Sequence, residues 1–101
     1  MYKIPTMNST ITSEKLQKYF SITREALEKA KNALDMSRKA QAEDFLDMAS
    51  RYVEDAEYFY TQQKDAVLAF AALNYAHGWL DAGARIGLFK VKDSRLFTVD
   101  G

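Results

Sequence analysis

Between Pro5 and Gly78 the chain contains neither proline nor glycine, and this gap constrains the fold more than any other feature of the sequence. Proline and glycine are the strongest signals for turns between short elements, so a sheet-rich fold would lack its turns here. Apolar residues instead recur at steps of three and four, which is the spacing of one face of a helix. The sequence therefore predicts an all-α fold.

Three amphipathic segments follow one another and predict helices over residues 12–34, 41–61 and 65–86. A side chain that accepts a hydrogen bond from the first helical turn favours a helix start, and Thr12 or Ser13 can do so for the first segment. Ser37 and Asp65 are the corresponding residues before the second and third segments. Gly87 suits the left-handed conformation that ends the third. Short connections between helices of this length predict an antiparallel, up-down-up three-helix bundle.

The 101 residues are enough for one small domain, and the 48% of hydrophobic residues is enough for one core. We assign residues 12–89 to the bundle. Residues 1–11 are expected to form a flexible N-terminal tail. Residues 90–101 are expected to form a C-terminal tail, which is either flexible or docked on the bundle. The apolar residues through which it would dock are Leu96, Phe97 and Val99.

Charge and composition argue against several classes of function. The chain has 14 Lys and Arg against 14 Asp and Glu, and its pI is about 6.6, whereas a nucleic-acid-binding protein would show a basic surface. Without cysteine, neither disulfides nor a thiolate metal site can form. The N-terminus lacks the apolar core of a signal peptide, and the least charged run, residues 66–80, is too short to cross a bilayer. We expect a soluble cytoplasmic protein with neither a membrane nor a nucleic-acid partner.

The third predicted helix is apolar on two sides. A helix in a three-helix bundle contacts two others, which explains a wide apolar arc but not one this wide. The second apolar side consists of Leu68, Ala72, Tyr75, Trp79, Gly83 and Ile86. Because an exposed aromatic patch normally marks an interaction surface, we predict an interface at four of these residues: Leu68, Tyr75, Trp79 and Ile86. Its occupant is the C-terminal tail, a second copy of the chain, or a different partner or ligand.

A narrow polar strip separates the two apolar sides and is the candidate ligand site, formed by Asn74, His77, Asp81 and Arg85. The last three lie four residues apart, and so line up along the helix. Asp81 could orient His77 as a general base while Arg85 binds an anion. We favour the simpler interpretation, in which Asp81 bridges its two neighbours and His77 lies at the edge of the core, so no catalytic residue is predicted.

Gly78 lies inside the third predicted helix, beside this strip. A glycine there costs about 1 kcal/mol relative to alanine. We therefore expect a close approach at Gly78, either by another helix backbone or by a ligand, to compensate for this cost.

Two acidic pairs resemble the Mg²⁺-binding motifs of all-α nucleotide pyrophosphohydrolases: Glu25 with Glu28, and Asp44 with Asp47. Such a site needs several carboxylates that converge on the metal, whereas both pairs project away from the apolar faces of their helices. A single histidine without a partner motif does not make a zinc site. The sequence therefore predicts no metal and no cofactor.

The stretch NYAHGWLDAGARIGLF, which follows EDAEYFYTQQKDAVLAFAAL, resembles the archaeal domain-of-unknown-function family 357 over about residues 12–89. Members look like small up-and-down three-helix bundles with a Tyr-Ala-His/Tyr-Gly-x-Leu-Asp-Ala signature in the last helix. The residues that match are Tyr75, Ala76, Gly78, Leu80, Asp81, Ala82, Arg85 and Gly87. Where that family would have a Gly-Asp pair before the last helix, this chain has Lys64 and Asp65. The resemblance implies the bundle fold and an archaeal source, but it implies no activity.

The sequence thus predicts a non-enzymatic helical interaction module that self-associates through its third helix. The alternative is a bundle that binds a small ligand or a nucleotide near His77, Asp81 and Arg85.

Overall fold

A computed structural model describes residues 11–98, and the helices within them confirm the all-α prediction. The bounds are Ser13–Lys31 for α1, Lys39–Thr61 for α2 and Ala66–Arg85 for α3, with a short 3₁₀-helix at Met36–Arg38. No strand forms in this part of the chain, although Leu34 and Phe89 make an isolated antiparallel bridge. No helix in residues 11–98 is long and apolar enough to cross a membrane.

The three helices alternate in direction. The start of α1 lies beside the end of α2, where the Ser13 and Tyr60 hydroxyls are 3.3 Å apart. The start of α2 lies beside the end of α3, because Arg38 Nη2 donates a hydrogen bond to the Ile86 carbonyl at 2.8 Å. The helices therefore form the predicted up-down-up bundle.

Two of the predicted N-caps are present. The Thr12 hydroxyl accepts a hydrogen bond from the Lys15 backbone N–H at 3.1 Å and begins α1. The Asp65 carboxylate does the same for Leu68 at 3.0 Å and begins α3. Each satisfies one of the donors that the first turn of a helix leaves without an internal partner.

The end of α3 is also as predicted. Gly87 has a φ of +79°, the left-handed conformation that suits glycine. The Leu88 N–H donates to the Gly83 carbonyl at 2.8 Å, and the Gly87 N–H to the Ala84 carbonyl at 3.2 Å. This pair of hydrogen bonds is the Schellman arrangement, which satisfies the last carbonyls of the helix.

The prediction that Ser37 caps the second helix was wrong. Ser37 lies inside the 3₁₀-helix, whose N-cap is Asp35, and Asp35 accepts hydrogen bonds from the backbone N–H and the hydroxyl of Ser37 at 3.0 and 2.7 Å. Arg38, the residue before α2, makes no side-chain capping hydrogen bond. The Asp35 cap starts the 3₁₀-helix, which leads directly into α2 at Lys39, two residues before the predicted start. The hydrogen bonds from Ser37, and then one from Arg38, lower the pKa of Asp35 to about 2.

The first helix is shorter than predicted, because it ends at Lys31 and not at residue 34. Beyond it, Leu34 pairs with Phe89, and the Lys90 N–H donates to the Ala33 carbonyl at 2.7 Å. The Asp35 N–H also donates to the Leu88 carbonyl at 2.8 Å, so the backbone on both sides of Leu34 binds the distant segment after α3 and does not continue the helix.

The turn between α2 and α3 uses a strained residue. Lys64 has a φ of +55°, the one positive value among the non-glycine residues of segment 11–98. The family resemblance leads us to expect glycine here, and glycine would adopt this conformation without steric cost. The Asp65 cap is present although lysine occupies this position.

The core has two parts. The part nearer the α2–α3 turn contains Leu16, Phe20, Ala56, Ala69, Ala72 and Leu73. The part at the opposite end is closed by residues that follow α3, namely Leu88, Phe89, Leu96 and Phe97, all nearly inaccessible to solvent. Residues after the last helix therefore complete the core, and the C-terminal segment is docked on the bundle. Val99, the third residue predicted to dock, lies outside the described residues.

Candidate functional site

Two residues of the predicted polar strip bind the C-terminal segment. His77 Nε2 lies 2.7 Å from the Leu96 carbonyl oxygen, and because a carbonyl can only accept, His77 donates from this nitrogen. The Asp81 carboxylate accepts hydrogen bonds from the backbone N–H of Thr98 at 2.8 Å and from its hydroxyl at 3.2 Å. The half-buried His77 and Asp81 are therefore an attachment site for residues 96–98.

The contact between His77 and Asp81 is not a hydrogen bond. His77 Nε2 and Asp81 Oδ1 are 3.8 Å apart, which is beyond hydrogen-bond distance. Asp81 therefore does not orient His77 as it would orient a general base. Asp81 also binds Thr98, because the docked segment brings two donors to its carboxylate.

Ion pairs attach the same segment to α1. Arg95 Nη2 lies 2.6 Å from Glu25 Oε2, and Lys29 Nζ lies 2.9 Å from Asp93 Oδ2. The hydrogen bond from Arg95 lowers the pKa of Glu25, and the hydrogen bond from Lys29 lowers the pKa of Asp93. Glu25, which belongs to one of the acidic pairs in the sequence, therefore binds an arginine. Within residues 11–98, no three His, Cys, Asp or Glu side chains come close enough together to hold a metal ion.

A cavity of about 420 Å³ lies between α1, α3 and the C-terminal segment. It brings together three of the four predicted ligand residues, Asn74, His77 and Asp81. Arg85 lies outside this cavity and borders a separate depression of about 600 Å³. Arg95, which also lines the cavity, was not predicted from the sequence. Only the docking of the C-terminal segment places it there, and no helical spacing relates it to α3.

The predicted interface is only partly covered. Trp79 is half-buried, with its ring edge-to-face against Phe45 of α2 at 4.9 Å between centroids. Tyr75 stacks on Tyr52 of α2 at 5.3 Å, yet it remains 63% exposed. Ile86 is 52% exposed. Helix α2 therefore covers Trp79, whereas the neighbouring apolar side chains on α3 still face solvent.

The outward side of α3 has a regular pattern, which we call the outer seam. Its positions follow one another in steps of three and four: Leu68, Ala71, Tyr75, Gly78, Ala82 and Arg85. Ala71 is half-buried and the others are exposed. Alternating steps of three and four define the line along which one helix contacts another in a coiled coil.

The two glycines within α3 have opposite surroundings. A Cβ atom at Gly83 would overlap the ring of Phe89, so the close approach occurs at Gly83. At Gly78 no atom lies within 4 Å of the position that a Cβ would take. The predicted close approach at Gly78 is therefore not made by any described part of the chain.

A family model described as "Protein of unknown function (DUF357)" matches residues 18–89. The match begins within α1 and ends at Phe89, so it contains most of the bundle but not the segment that covers His77 and Asp81. Neither a curated protein nor a solved structure matches the chain.

Proposed function

The chain belongs to this family of unknown function, since the match spans residues 18–89 of 101, and we propose that it is a non-enzymatic interaction module that self-associates through the outer seam of α3. The observation that carries this proposal is an exposed helix surface with almost no charge. Arg85 is the single charged residue among the exposed positions of α3, all of which lie within the described chain.

The size of the exposed apolar side chains supports an interface. Val67 is 61% exposed and Leu68 45%, and with Tyr75 and Ile86 they extend along the whole length of α3. Scattered apolar residues are normal on a protein surface, whereas a continuous apolar patch usually marks an interaction site. Covering these side chains with a second apolar surface would remove them from water, and this provides the free energy of association.

The small residues of the seam suit contact with a helix. Ala71, Gly78 and Ala82 carry little or no side chain, and the distance between packed helices depends on the side chains at the contact. A glycine at position 78 also costs about 1 kcal/mol relative to alanine, although the space around it would accept a Cβ. Close packing of a second helix against Gly78 would explain why this position lacks a side chain, whereas no contact within the single chain explains it.

Sedimentation or light scattering over a range of concentrations tests the proposal. We expect a dimer that forms as concentration rises. Ala82→Glu places a charge on the seam and should keep the chain monomeric. Ala40→Glu is the matched control, since Ala40 is an exposed alanine on α2 and not a seam residue, and it should leave dimerisation unchanged. A wild-type chain that stays monomeric at every concentration would overturn the proposal, as would an equal effect of the two variants.

The cavity beside His77 favours a second candidate function, binding of a small polar ligand such as a nucleotide. Asn74 offers both hydrogen-bond donors and an acceptor at its wall, beside Arg95, which binds Glu25, and Asp81, which binds Thr98. The cavity volume of about 420 Å³ is within the range of small-molecule sites.

Thermal shift with a set of nucleotides, with and without Mg²⁺, tests this second function. We expect a raised melting temperature for the wild-type chain and for Arg85→Ala, because Arg85 lies outside the cavity. Asn74→Ala should abolish the shift. The absence of any shift in the wild-type chain would contradict this function and leave the self-association proposal unaffected.

A further inference from the structure

We propose that the two copies pair with their α3 helices antiparallel, so that Tyr75 of each copy packs over Gly78 of the other. This inference rests on the proposed self-association and adds its geometry. The two-fold axis would cross α3 midway between Ala76 and His77.

The outer seam is complementary to itself in this arrangement. Six positions in steps of 3, 4, 3, 4 and 3 are symmetric about their midpoint, so the seam residues form three pairs with one centre: Tyr75 with Gly78, Ala71 with Ala82, and Leu68 with Arg85. A two-fold axis at that point places each residue opposite the other member of its pair, and each contact is made twice. The three pairs fall at successive levels of the seam and account for all six of its positions.

The sizes of the paired residues match. The exposed ring of Tyr75 meets the open space over Gly78, where no atom lies within 4 Å of a Cβ position. Ala71 meets Ala82, so the two backbones can approach closely at both ends of the central contact. Leu68 meets the methylene groups of Arg85, which can cover apolar surface while the guanidinium stays in water.

The charges at the ends of α3 favour the same direction. Asp65 caps the N-terminus of α3, and Arg85 is in its last turn. Antiparallel pairing sets the two helix dipoles in opposite directions and keeps the Arg85 side chains of the two copies at opposite ends of the contact. Parallel pairing would instead place the two arginines beside each other, and it would leave a gap where one Gly78 faces another.

Disulfide trapping tests the direction of pairing, because the chain has no cysteine of its own. Chains carrying Ala71→Cys are mixed with chains carrying Ala82→Cys under mild oxidation. We expect the mixed disulfide to predominate, since the antiparallel pair brings these two positions within the short Cβ separation that a disulfide requires. A mixture of Ala71→Cys with Ala40→Cys, which lies on α2, is the control and should form no comparable product.

The outcomes separate the two proposals. If wild-type sedimentation shows a dimer but Ala71→Cys chains link only to each other, the antiparallel pairing is wrong and self-association stands. If wild-type sedimentation shows no dimer, self-association is wrong, and the seam belongs to a partner of another kind or to none.

Gly78→Ala gives a second, independent test. A Cβ in the open space at Gly78 should raise the melting temperature of the single chain, because alanine favours a helix over glycine. The same Cβ would meet the partner's Tyr75 and should weaken the dimer about tenfold or more. An unchanged dimerisation constant would contradict the contact between Tyr75 and Gly78.

Discussion

Helices α2 and α3 pack against each other, yet their outward surfaces differ in kind. The exposed positions of α2 are mostly charged: Lys39, Glu43, Asp44, Asp47, Arg51, Glu54, Asp55 and Glu57. Those of α3 include Val67, Leu68, Tyr75, Gly78 and Ala82, with Arg85 as the one charged residue. Water solvates a charged surface well, whereas an apolar surface gains free energy when a second surface removes it from water. The comparison shows that α2 presents a charged surface to water, whereas α3 presents the apolar surface on which the proposed self-association depends.

The largest expected effect separates the two sides of α3 itself. Leu80 is fully buried, and Leu80→Ala should lower the free energy of unfolding by about 2–5 kcal/mol. Leu68 is 45% exposed, and Leu68→Ala should cost less than about 1 kcal/mol when the chain is dilute enough to be monomeric. Urea unfolding of the two variants measures both losses, and losses of equal size would contradict the description of α3 as having an inner and an outer side.

The two glycines of α3 should respond with opposite signs. Gly83→Ala puts a Cβ into the ring of Phe89 and should destabilise the chain by about 1–3 kcal/mol. Gly78→Ala adds a Cβ in open space and should stabilise the dilute chain by about 1 kcal/mol. Thermal or urea unfolding measures both changes in the free energy of unfolding. Changes of the same sign at the two positions would contradict the difference in space around the two glycines.

A smaller effect is expected where α2 turns into α3. Lys64→Gly should raise the free energy of unfolding by about 0.5–1 kcal/mol, because glycine adopts a positive φ without strain but loses more freedom on folding. Gln63→Gly is the matched control, since its φ is not positive, and it should not gain stability. If the two variants behave alike, strain at Lys64 does not affect the stability of the turn.

The other end of α2 should respond to pH. The pKa of Asp35 is lowered from 3.8 to about 2, so its charged form stabilises the folded chain above pH 3.8. This contribution is lost as the pH falls from 3.8 towards 2. Glu25 and Asp93, whose pKa values are also lowered, should lose stabilising contributions in the same direction. Urea midpoints measured across this range should fall less steeply for Asp35→Asn than for the wild-type chain. Asp44→Asn, on the exposed surface of α2, is the control, and a slope that Asp35→Asn leaves unchanged would contradict the prediction.

Local features of the fold could be predicted from the sequence because they depend on neighbours along the chain. The caps at Thr12 and Asp65 and the left-handed Gly87 need only the residues of one helical turn. Ser37 failed as a cap because Asp35, two residues earlier, takes hydrogen bonds from both its N–H and its hydroxyl. Competition between two nearby capping residues is decided by the path of the backbone, which the sequence pattern does not contain.

The candidate site was harder to predict, since its residues come from distant parts of the chain. Spacing along α3 correctly placed His77 and Asp81 on one polar strip, but their partners are the Leu96 carbonyl and Thr98. Arg95 reaches the cavity in the same way, through the docked segment. Backbone carbonyls and irregular segments have no periodicity, and therefore no pattern in the sequence indicates where they bind.

The sequence by itself determined three helices, their order and their apolar sides, because helical periodicity and the absence of proline and glycine between positions 5 and 78 favour helices over strands. Only the tertiary structure decided which apolar residues are covered. Phe45 covers Trp79, Phe89 fills the space beside Gly83, and Leu96 and Phe97 close the core. The reason is physical: an apolar residue favours burial against any surface that fits, and the packed shape of the whole chain selects that surface.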